Sequence, residues 1–382
     1  MIPDSLLDEA GGILDEAVRL RRDIHRHPEL DLHNPRTQEL VLDELADIGL
    51  GDLVTGEKCS SVVATLQGER EGPTILLRAD TDALPMPEDT GLEYASTVDG
   101  AMHACGHDAH TAMLLGAARL LHDRRSEIAG KIVFAFQPGE EGSGGAAVML
   151  KEGLIEQTGA QAAFAIHQTP TVPSGWLVTK PGPVLASADE FTIVIRGRGG
   201  HASQPHDALD PIPIACELVQ AMQTMVTRKV DAFNPAVVTV ARITAGTTSN
   251  VIPECAEIEG TVRAVSERTR KLVLENIRRL AEGIASAHDA TAELDFPRGY
   301  PVTVNDDNFA AFAAGVCRNL VSESFVPMPS PAMGAEDFSY ILQKVPGAMV
   351  FLGTHPGTAG PRISLAMSRS SPRADSRATS AA

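Results

Sequence analysis

Between Leu6 and Ile24, apolar residues recur every three or four positions, with acidic residues near the start of the stretch and arginines near its end. This spacing is typical of an amphipathic helix, and the charges match the polarity of its dipole. We predict one helix here, and we expect it to end at His27-Pro28, because the residue before a proline rarely adopts the helical conformation. A second helix is predicted from Thr37 to Ile48, with Gly49 after its last turn.

Short apolar segments then alternate with helical ones. Strands are predicted at residues 61–67, 74–78, 131–137 and 162–167. The stretch from Thr111 to His122, which is rich in alanine and leucine, is predicted to be a helix. Strand–helix alternation of this kind favours an α/β fold, in which helices cover both faces of a sheet.

The order of predicted elements changes after Ala186. Strands are predicted at residues 189–196, 236–245, 255–265 and 291–296, and helices at 209–228 and 267–288. The order β-α-β-β-α-β is that of a ferredoxin-like domain. We therefore predict one α/β domain over residues 1–185 and 297–356, with a ferredoxin-like domain inserted over residues 186–296.

The end of the chain has a different composition. Residues 357–382 contain six serines and four arginines but almost no periodic apolar residues. Such a segment buries too little apolar surface to become ordered. We predict an atypical, disordered tail over residues 357–382.

Composition narrows the class of protein. The chain has 382 residues, 43% of them hydrophobic, and a net charge of −18. This acidic balance argues against nucleic acid or an anionic membrane surface as a partner. There is no apolar run of about 20 residues that would span a bilayer, and the first residues lead us to expect no secretory signal. Five widely spaced cysteines argue against a disulfide framework, so we expect a cytoplasmic protein.

The densest set of reactive side chains lies in residues 103–110 (HACGHDAH). Cys105 and His107, with a glycine between them, can converge on one metal ion, because thiolate sulfur and imidazole nitrogen are typical zinc ligands. The segment precedes a predicted helix, whose dipole favours a thiolate. The alternative is a buried cysteine beside solvated histidines.

Other candidates follow predicted strands. Glu140 and Glu141 come after the strand at 131–137, and adjacent side chains there point in different directions. One carboxylate can therefore bind a metal while the other acts as a general base. His167 ends another strand, and Asp82 can orient a metal-bound histidine. Each has a structural alternative, an acidic turn or a structural histidine, but strand ends are the usual position for a site in an open α/β sheet.

Seven motifs, in order along the chain, resemble those of the M20 metallopeptidase superfamily, in its subfamily of N-acyl-amino-acid amidohydrolases (hippurate hydrolase, aminoacylase-like and auxin-conjugate hydrolases). The motifs are residues 22–30 (RDIHRHPEL), 77–85 (LRADTDALP), 102–108 (MHACGHD), 136–142 (FQPGEEG), 199–206 (GGHASQPH), 248–253 (TSNVIP) and 334–338 (GAEDF). The resemblance runs from about residue 5 to about residue 356. It implies an aminopeptidase-like α/β catalytic domain with an inserted ferredoxin-like lid, through which two subunits form a homodimer.

The resemblance also implies roles for single residues. Cys105, His107, Glu141 and His167 match metal ligands, for one or two divalent ions per subunit (Zn, Mn, Co or Ni). Glu140 matches the general base, which accepts a proton from water and passes it to the leaving amine.

The remaining matched positions support the site or contact the substrate. Asp82 matches the carboxylate that supports the metal site. In the lid, His201 matches a histidine that holds the substrate or its oxyanion, and Asn250 and Arg263 match positions that contact the substrate.

The implied reaction is hydrolysis of an N-acyl amino acid to a carboxylate and a free amino acid. A di- or exopeptidase of the same superfamily is the alternative activity. One departure favours a catalytically impaired, metal-binding homologue: residues 362–369 (RISLAMSR) lack the further ligand histidine that relatives carry there. We expect this to weaken binding of a second metal ion.

Overall fold

The computed structural model describes residues 5–297 and 299–356, and the chain divides into two units. Of these residues, the first unit contains 5–182, 304–329 and 340–356, and the second contains 183–297, 299–303 and 330–339. The predicted tail at 357–382 lies outside the described residues. Within the described ranges, no helix is long and apolar enough to cross a membrane.

The described residues form ten α-helices and three short 3-10 turns. The helices are α1 Ser5–Gly12, α2 Leu14–Arg26, α3 Pro35–Ile48, α4 His107–Asp123, α5 Gly145–Lys151, α6 Leu154–Thr158, α7 Pro211–Lys229, α8 Glu267–Ala287, α9 Asp307–Val321 and α10 Phe338–Leu342. The 3-10 turns are Arg125–Glu127, Pro205–Asp207 and Ser322–Ser324.

The same residues form sixteen strands. They are β1 Leu53–Thr55, β2 Val62–Gln67, β3 Arg70–Asp80, β4 Ala129–Gln137, β5 Ala162–Pro173, β6 Leu177–Thr179, β7 Gly182–Leu185, β8 Asp189–Arg196, β9 Gly200–His201, β10 Ala236–Ala245, β11 Val251–Ile252, β12 Cys255–Ala264, β13 Thr291–Asp295, β14 Thr303–Asn305, β15 Phe325–Pro327 and β16 Gly347–His355.

The prediction of a single first helix is wrong. The chain forms α1 and α2 instead, with a turn at Ile13 between them. Gly11 and Gly12 end α1, and glycine is the weakest helix former after proline. The apolar spacing continues across this break, and both helices contact the same neighbour, α4.

The first unit is built on a mixed eight-stranded sheet in the order β1-β2-β4-β3-β5-β16-β6-β15. Its central strands β4, β3, β5 and β16 run parallel to their neighbours within that group. One apolar cluster holds α3 and α4 against the sheet through Leu45, Leu115 and Phe134. A second cluster packs α9 against β16 through Cys317 and Val350. The predicted α/β class is confirmed, and the carboxyl ends of the parallel strands meet at one edge.

The second unit contains an antiparallel four-stranded sheet in the order β10-β12-β8-β13. With helices α7 and α8, the order along the chain is β8-α7-β10-β12-α8-β13, which is the ferredoxin-like arrangement. Alternate residues of β8, among them Phe191 and Ile195, pack with Leu218 of α7 and Ile277 of α8. Side chains two apart share one face of a strand, so both helices cover the same face of this sheet.

Candidate metal centre

The segment Cys105–Gly106–His107 makes a sharp turn into helix α4. Gly106 has a φ of +88°, a backbone conformation that residues with a Cβ rarely adopt. A Cβ on Gly106 would also lie 1.4 Å from Nε2 of Gln168. Glycine is therefore required here by both conformation and space, and the turn brings Cys105 and His107 to one side of the loop.

The strand ends bring the other candidates to the same edge. Arg78 of β3 lies opposite Ala165 of β5, and Asp80 lies opposite Gln137 of β4. His167 therefore lies level with the end of β3, and Glu140 and Glu141 follow the end of β4. Parallel strands in register place these side chains together.

Two overlapping groups of donor atoms result. One consists of Cys105, His107 and His167, and the other of His107, Glu140 and Glu141, and in each the ligand atoms lie within 4.8 Å of one another. Sγ of Cys105 lies 3.4 Å from Nε2 of His167. Nε2 of His107 lies 3.9 Å from Oε1 of Glu141 and 4.0 Å from Oε2 of Glu140. We call these five residues the donor cluster.

The donor cluster contains buried polar atoms that lack a hydrogen bond. Both ring nitrogens of His107 and Oε1 of Glu141 are without a hydrogen-bond partner among the described residues. Buried polar atoms are almost always satisfied in proteins. Thiolate, imidazole and carboxylate together are the donors that a divalent transition-metal ion prefers. The residues present therefore fit a bound metal ion.

Burial and nearby charge shift the pKa values of the cluster. Burial lowers the pKa of His167 to about 3, so its ring is neutral and able to bind a metal. Burial is the largest single influence and opposes a charge on His107, but Asp80 and the other groups around the ring together outweigh burial and raise the pKa of His107. The cluster thus favours a positive charge at this position, which a metal ion would supply.

We expected the N-terminus of α4 to favour a thiolate at Cys105, and the structure shows the opposite influence. Burial raises the pKa of the Cys105 thiol to about 12. The thiol lies in the interior, where loss of hydration outweighs the partial charge of a helix N-terminus. A thiolate at Cys105 therefore requires a cation bound next to it.

Asp82 holds the two adjacent glutamates through their backbone. The N–H groups of Glu140 and Glu141 each donate to one oxygen of the Asp82 carboxylate, both at 2.9 Å. The carboxylate is buried, and its Oδ1 lies 3.4 Å from Nδ1 of His107. Asp82 thus contacts three members of the donor cluster.

Two residues that the sequence analysis left without a role lie beside the cluster. Oδ1 of Asp80 lies 2.6 Å from Nδ1 of His110, and Oδ2 accepts from Arg78 at 2.6 Å and lies 3.6 Å from Nε2 of His107. Asp80, His107 and His110 form a third group of potential ligands. The spacing in the sequence could have identified His110, because it lies three residues after His107 and therefore on the same face of α4.

Arg21 and His25, the second of which belongs to the motif at residues 22–30, anchor the start of α4. Oδ2 of Asp108 lies 2.5 Å from Nε of Arg21 and 2.8 Å from Nδ1 of His25. Nε2 of His25 lies 3.3 Å from Oε1 of Glu88. Burial is the largest single influence and opposes protonation of His25, but the hydrogen bond and charge of Asp108 and the charge of Glu88 together outweigh burial and raise the pKa of the ring. The residue after His107 is therefore fixed to α2 by buried charged groups.

The three remaining candidates belong to the second unit. His201 lies on β9, which pairs with β11, and its exposed ring contacts Oγ of Ser203 at 2.8 Å. The carbonyl of Asn250, at the start of the paired segment, accepts from the backbone N–H of Ala202. Arg263 lies on β12 and is half-buried. The structure thus brings His201 and Asn250 together within this unit and places Arg263 on the four-stranded sheet.

Gly106→Ala is expected to weaken metal binding by about 10–100-fold, the range for groups that orient metal ligands. The new Cβ would displace Gln168 and turn Cys105 and His107 away from each other. Gly100→Ala is a matched control, since Gly100 also has a positive φ, +73°, but its Cβ would meet nothing within 4 Å. Equal metal dissociation constants for the two variants, measured by chelator competition, would contradict the crowding argument.

Comparison with known proteins defines the class. The chain is similar to N-acetylcysteine deacetylase from Bacillus subtilis (strain 168), with 41% identity over 338 residues that cover 88% of each chain. It is similar to thermostable carboxypeptidase 1 from Saccharolobus solfataricus, with 40% identity over 354 residues, 92% of this chain and 89% of the relative. A crystal structure of a Bacillus subtilis protein, called a dinuclear metal-binding peptidase of the M20 family, has a TM-score of 0.79 and 37% identity, with 92% of each chain covered.

The fold and these relatives define a metal-dependent hydrolase of amide bonds. Residues 76–365 match Peptidase family M20/M25/M40, and the chain belongs to this family. The recognition of the M20 superfamily from seven sequence motifs is confirmed.

Proposed function

We propose that this chain hydrolyses the amide bond of N-acyl amino acids, giving a carboxylate and a free amino acid. The observation that supports the proposal most is the donor cluster, with its unsatisfied His107 nitrogens in the interior of the first unit. The similarity to an N-acetylcysteine deacetylase supports the substrate class.

Cys105, His107, Glu141 and His167 are proposed to hold one or two divalent ions, of Zn, Mn, Co or Ni. When bound, such an ion lowers the pKa of water and polarises the amide carbonyl. The mixed sulfur, nitrogen and oxygen donors support this range of metals and argue against Mg²⁺ or Ca²⁺, which prefer oxygen ligands alone.

Glu140 is proposed to be the general base. Its carboxylate takes a proton from the attacking water, and the water oxygen bonds to the carbonyl carbon. The same carboxyl group then gives the proton to the nitrogen as the C–N bond breaks. The backbone N–H of Glu140 is bonded to the buried Asp82, which supports a fixed position for this group.

His201, Asn250 and Arg263 are proposed to contact the substrate. An imidazole and an amide can donate to an amide oxygen, and a guanidinium can pair with the carboxylate of an amino acid. The exposed His201 ring on its short two-stranded sheet supports a role in ligand contact.

We also propose a homodimer formed through the second unit, in the cytoplasm. Strand β10 is an edge of the four-stranded sheet, and its Val237 and Ile243 are 42% and 48% exposed. Unpaired edges with exposed apolar residues favour association with another strand. All five cysteines are free thiols, which supports a reducing compartment.

The proposed homodimer predicts a measurable mass. Sedimentation equilibrium should give twice the chain mass, and the Ile243→Glu variant should shift the mass toward that of one chain.

The experiment that tests the activity is a substrate panel on the metal-loaded protein. We expect kcat/KM for N-acetyl and N-benzoyl amino acids to exceed that for dipeptides with the same C-terminal residue. The relative named as a carboxypeptidase favours the opposite order, which would establish an exopeptidase instead. If the protein binds metal but hydrolyses neither class of substrate, the proposal is overturned, and the chain is a catalytically inactive metal-binding homologue. The Glu140→Gln protein, prepared in parallel, controls for contaminating hydrolases.

A further inference from the structure

His110 has no ring nitrogen left for a metal ion. The backbone N–H of Gln168 points at Nε2 of His110 at 2.9 Å, and an N–H can only donate, so Nε2 is the unprotonated nitrogen. The proton is therefore on Nδ1, which donates to Oδ1 of Asp80 at 2.6 Å. The ring is 2% exposed and lies beside the donor cluster. Both nitrogens are occupied by protein groups from two different strands.

Gln168, the partner of His110, contacts two of the proposed ligands. Its carbonyl oxygen lies 2.5 Å from Nδ1 of His167, and a carbonyl can only accept, so Nδ1 carries the proton. Nε2 of His167 is then the unprotonated nitrogen, and it is the one that lies 3.4 Å from Sγ of Cys105. The side-chain amide of Gln168 donates to the carbonyl of Cys105 at 3.3 Å.

We propose that His110 and Gln168 are a pair of positioning residues: His110 ties Asp80 of β3 to the backbone of Gln168 in β5, and Gln168 holds His167 and Cys105 so that both face one metal ion. The pair is not itself part of the ligand set. This inference rests on the proposed metal site, and it assigns the tautomers of both histidines. The rings of His110 and His167 lie 4.6 Å apart between centroids, so displacement of one would move the other.

Two substitutions of His110 separate its two hydrogen bonds. The amide of His110→Gln reaches about as far as Nε2 and can accept from the N–H of Gln168. The shorter amide of His110→Asn reaches only about as far as Nδ1, so it keeps the contact with Asp80 and loses the one with Gln168. We expect His110→Asn to raise the dissociation constant for Zn²⁺ by about 10–100-fold. His110→Gln should restore most of the affinity.

The measurements are Zn²⁺ affinity by chelator competition, the absorption spectrum of the Co²⁺-loaded protein, and the melting temperature of the metal-free protein. His122→Asn, near the far end of the same helix, is the matched control and should leave all three unchanged. The Co²⁺ spectrum of His110→Asn should differ from that of the parent, because the orientation of His167 changes, and the spectrum of His110→Gln should match the parent.

Each outcome decides a different point. Equal loss of affinity in both His110 variants would make His110 a ligand and overturn the inference. Unchanged Zn²⁺ affinity in His110→Asn, with a lower melting temperature, would reduce its role to stability alone and also overturn it. A parent protein that binds no divalent ion would overturn the proposed function itself. Should His110→Asn fail to fold, Gln168→Leu removes only the amide bond to Cys105, and unchanged affinity there would overturn the inference.

Discussion

Glu140→Gln is expected to lower kcat by about 10²–10⁴-fold, the usual contribution of a general base, and to leave the metal content unchanged. The amide of glutamine has nearly the same shape as the carboxylate but cannot accept the proton of the attacking water. The backbone of residue 140 remains bonded to Asp82, because that hydrogen bond uses the main-chain N–H. The variant should therefore keep the geometry of the site and lose the proton transfer.

The neighbouring glutamate provides the matched comparison. Glu141→Gln makes the same chemical change one residue further on, where the side chain is proposed to bind the metal. It should lower metal content first and turnover as a consequence. Steady-state kinetics and metal analysis on both variants separate the two roles. If Glu140→Gln lost metal and Glu141→Gln kept it, the assignments of base and ligand would have to be exchanged.

Much of the fold could be predicted because its strands have strong local patterns. The βαββαβ order of the second unit follows from alternating apolar residues such as Phe191 and Ile195, which pack on one face of β8. The break between α1 and α2 was missed because the apolar spacing continues past Gly11 and Gly12. Periodicity reports which face of a helix is buried, and it is insensitive to a local loss of helix propensity.

The order of strands in the first unit could not be derived from the sequence. Strand β16 is the last of the described strands, yet it lies between β5 and β6 in the sheet. The pairing of Val350 with Ile166 joins residues far apart along the chain, and no local pattern encodes such a partner. The sequence predicts that the carboxyl ends of the parallel strands meet at one edge of the sheet. The pairing register between neighbouring strands determines which side chains lie next to each other at that edge.

For the site, sequence reasoning found the residues whose chemistry is typical of metal ligands. It assigned no role to Asp80 or His110, and it did not single out Gln168, because their importance comes from contacts between strands. The contact of Gln168 with the carbonyl of Cys105 depends on the left-handed turn at Gly106, where no side chain could fit. A glutamine in a strand carries no chemical signal of this kind. Supporting residues are therefore harder to predict than ligands, even where they lie adjacent to them.

His107→Ala is expected to have the largest effect on metal binding of any single substitution in the donor cluster. His107 is the member shared by both overlapping ligand groups, so its removal leaves each with only two of its three donors. The loss of affinity should exceed the roughly 10–100-fold that is typical for a residue that only supports a ligand. Turnover should fall with metal content, and added metal should not restore it.

The metal-free protein should also respond to this change. The His107 ring lies between the buried carboxylates of Asp80 and Asp82, at 3.6 Å and 3.4 Å. Removing the ring takes a positive group away from both carboxylates, although Asp80 keeps Arg78 at 2.6 Å and Asp82 keeps the backbone N–H groups of Glu140 and Glu141. We therefore expect a lower melting temperature, because a buried charge that loses a partner is destabilised. Cys105→Ala removes a thiol that burial keeps neutral, so it should lower metal affinity with less loss of stability. Metal content after dialysis and the melting temperature of the metal-free protein test both points, with His122→Ala on the same helix as the control. Full metal content in the His107→Ala protein would show that the donor cluster is not the metal site.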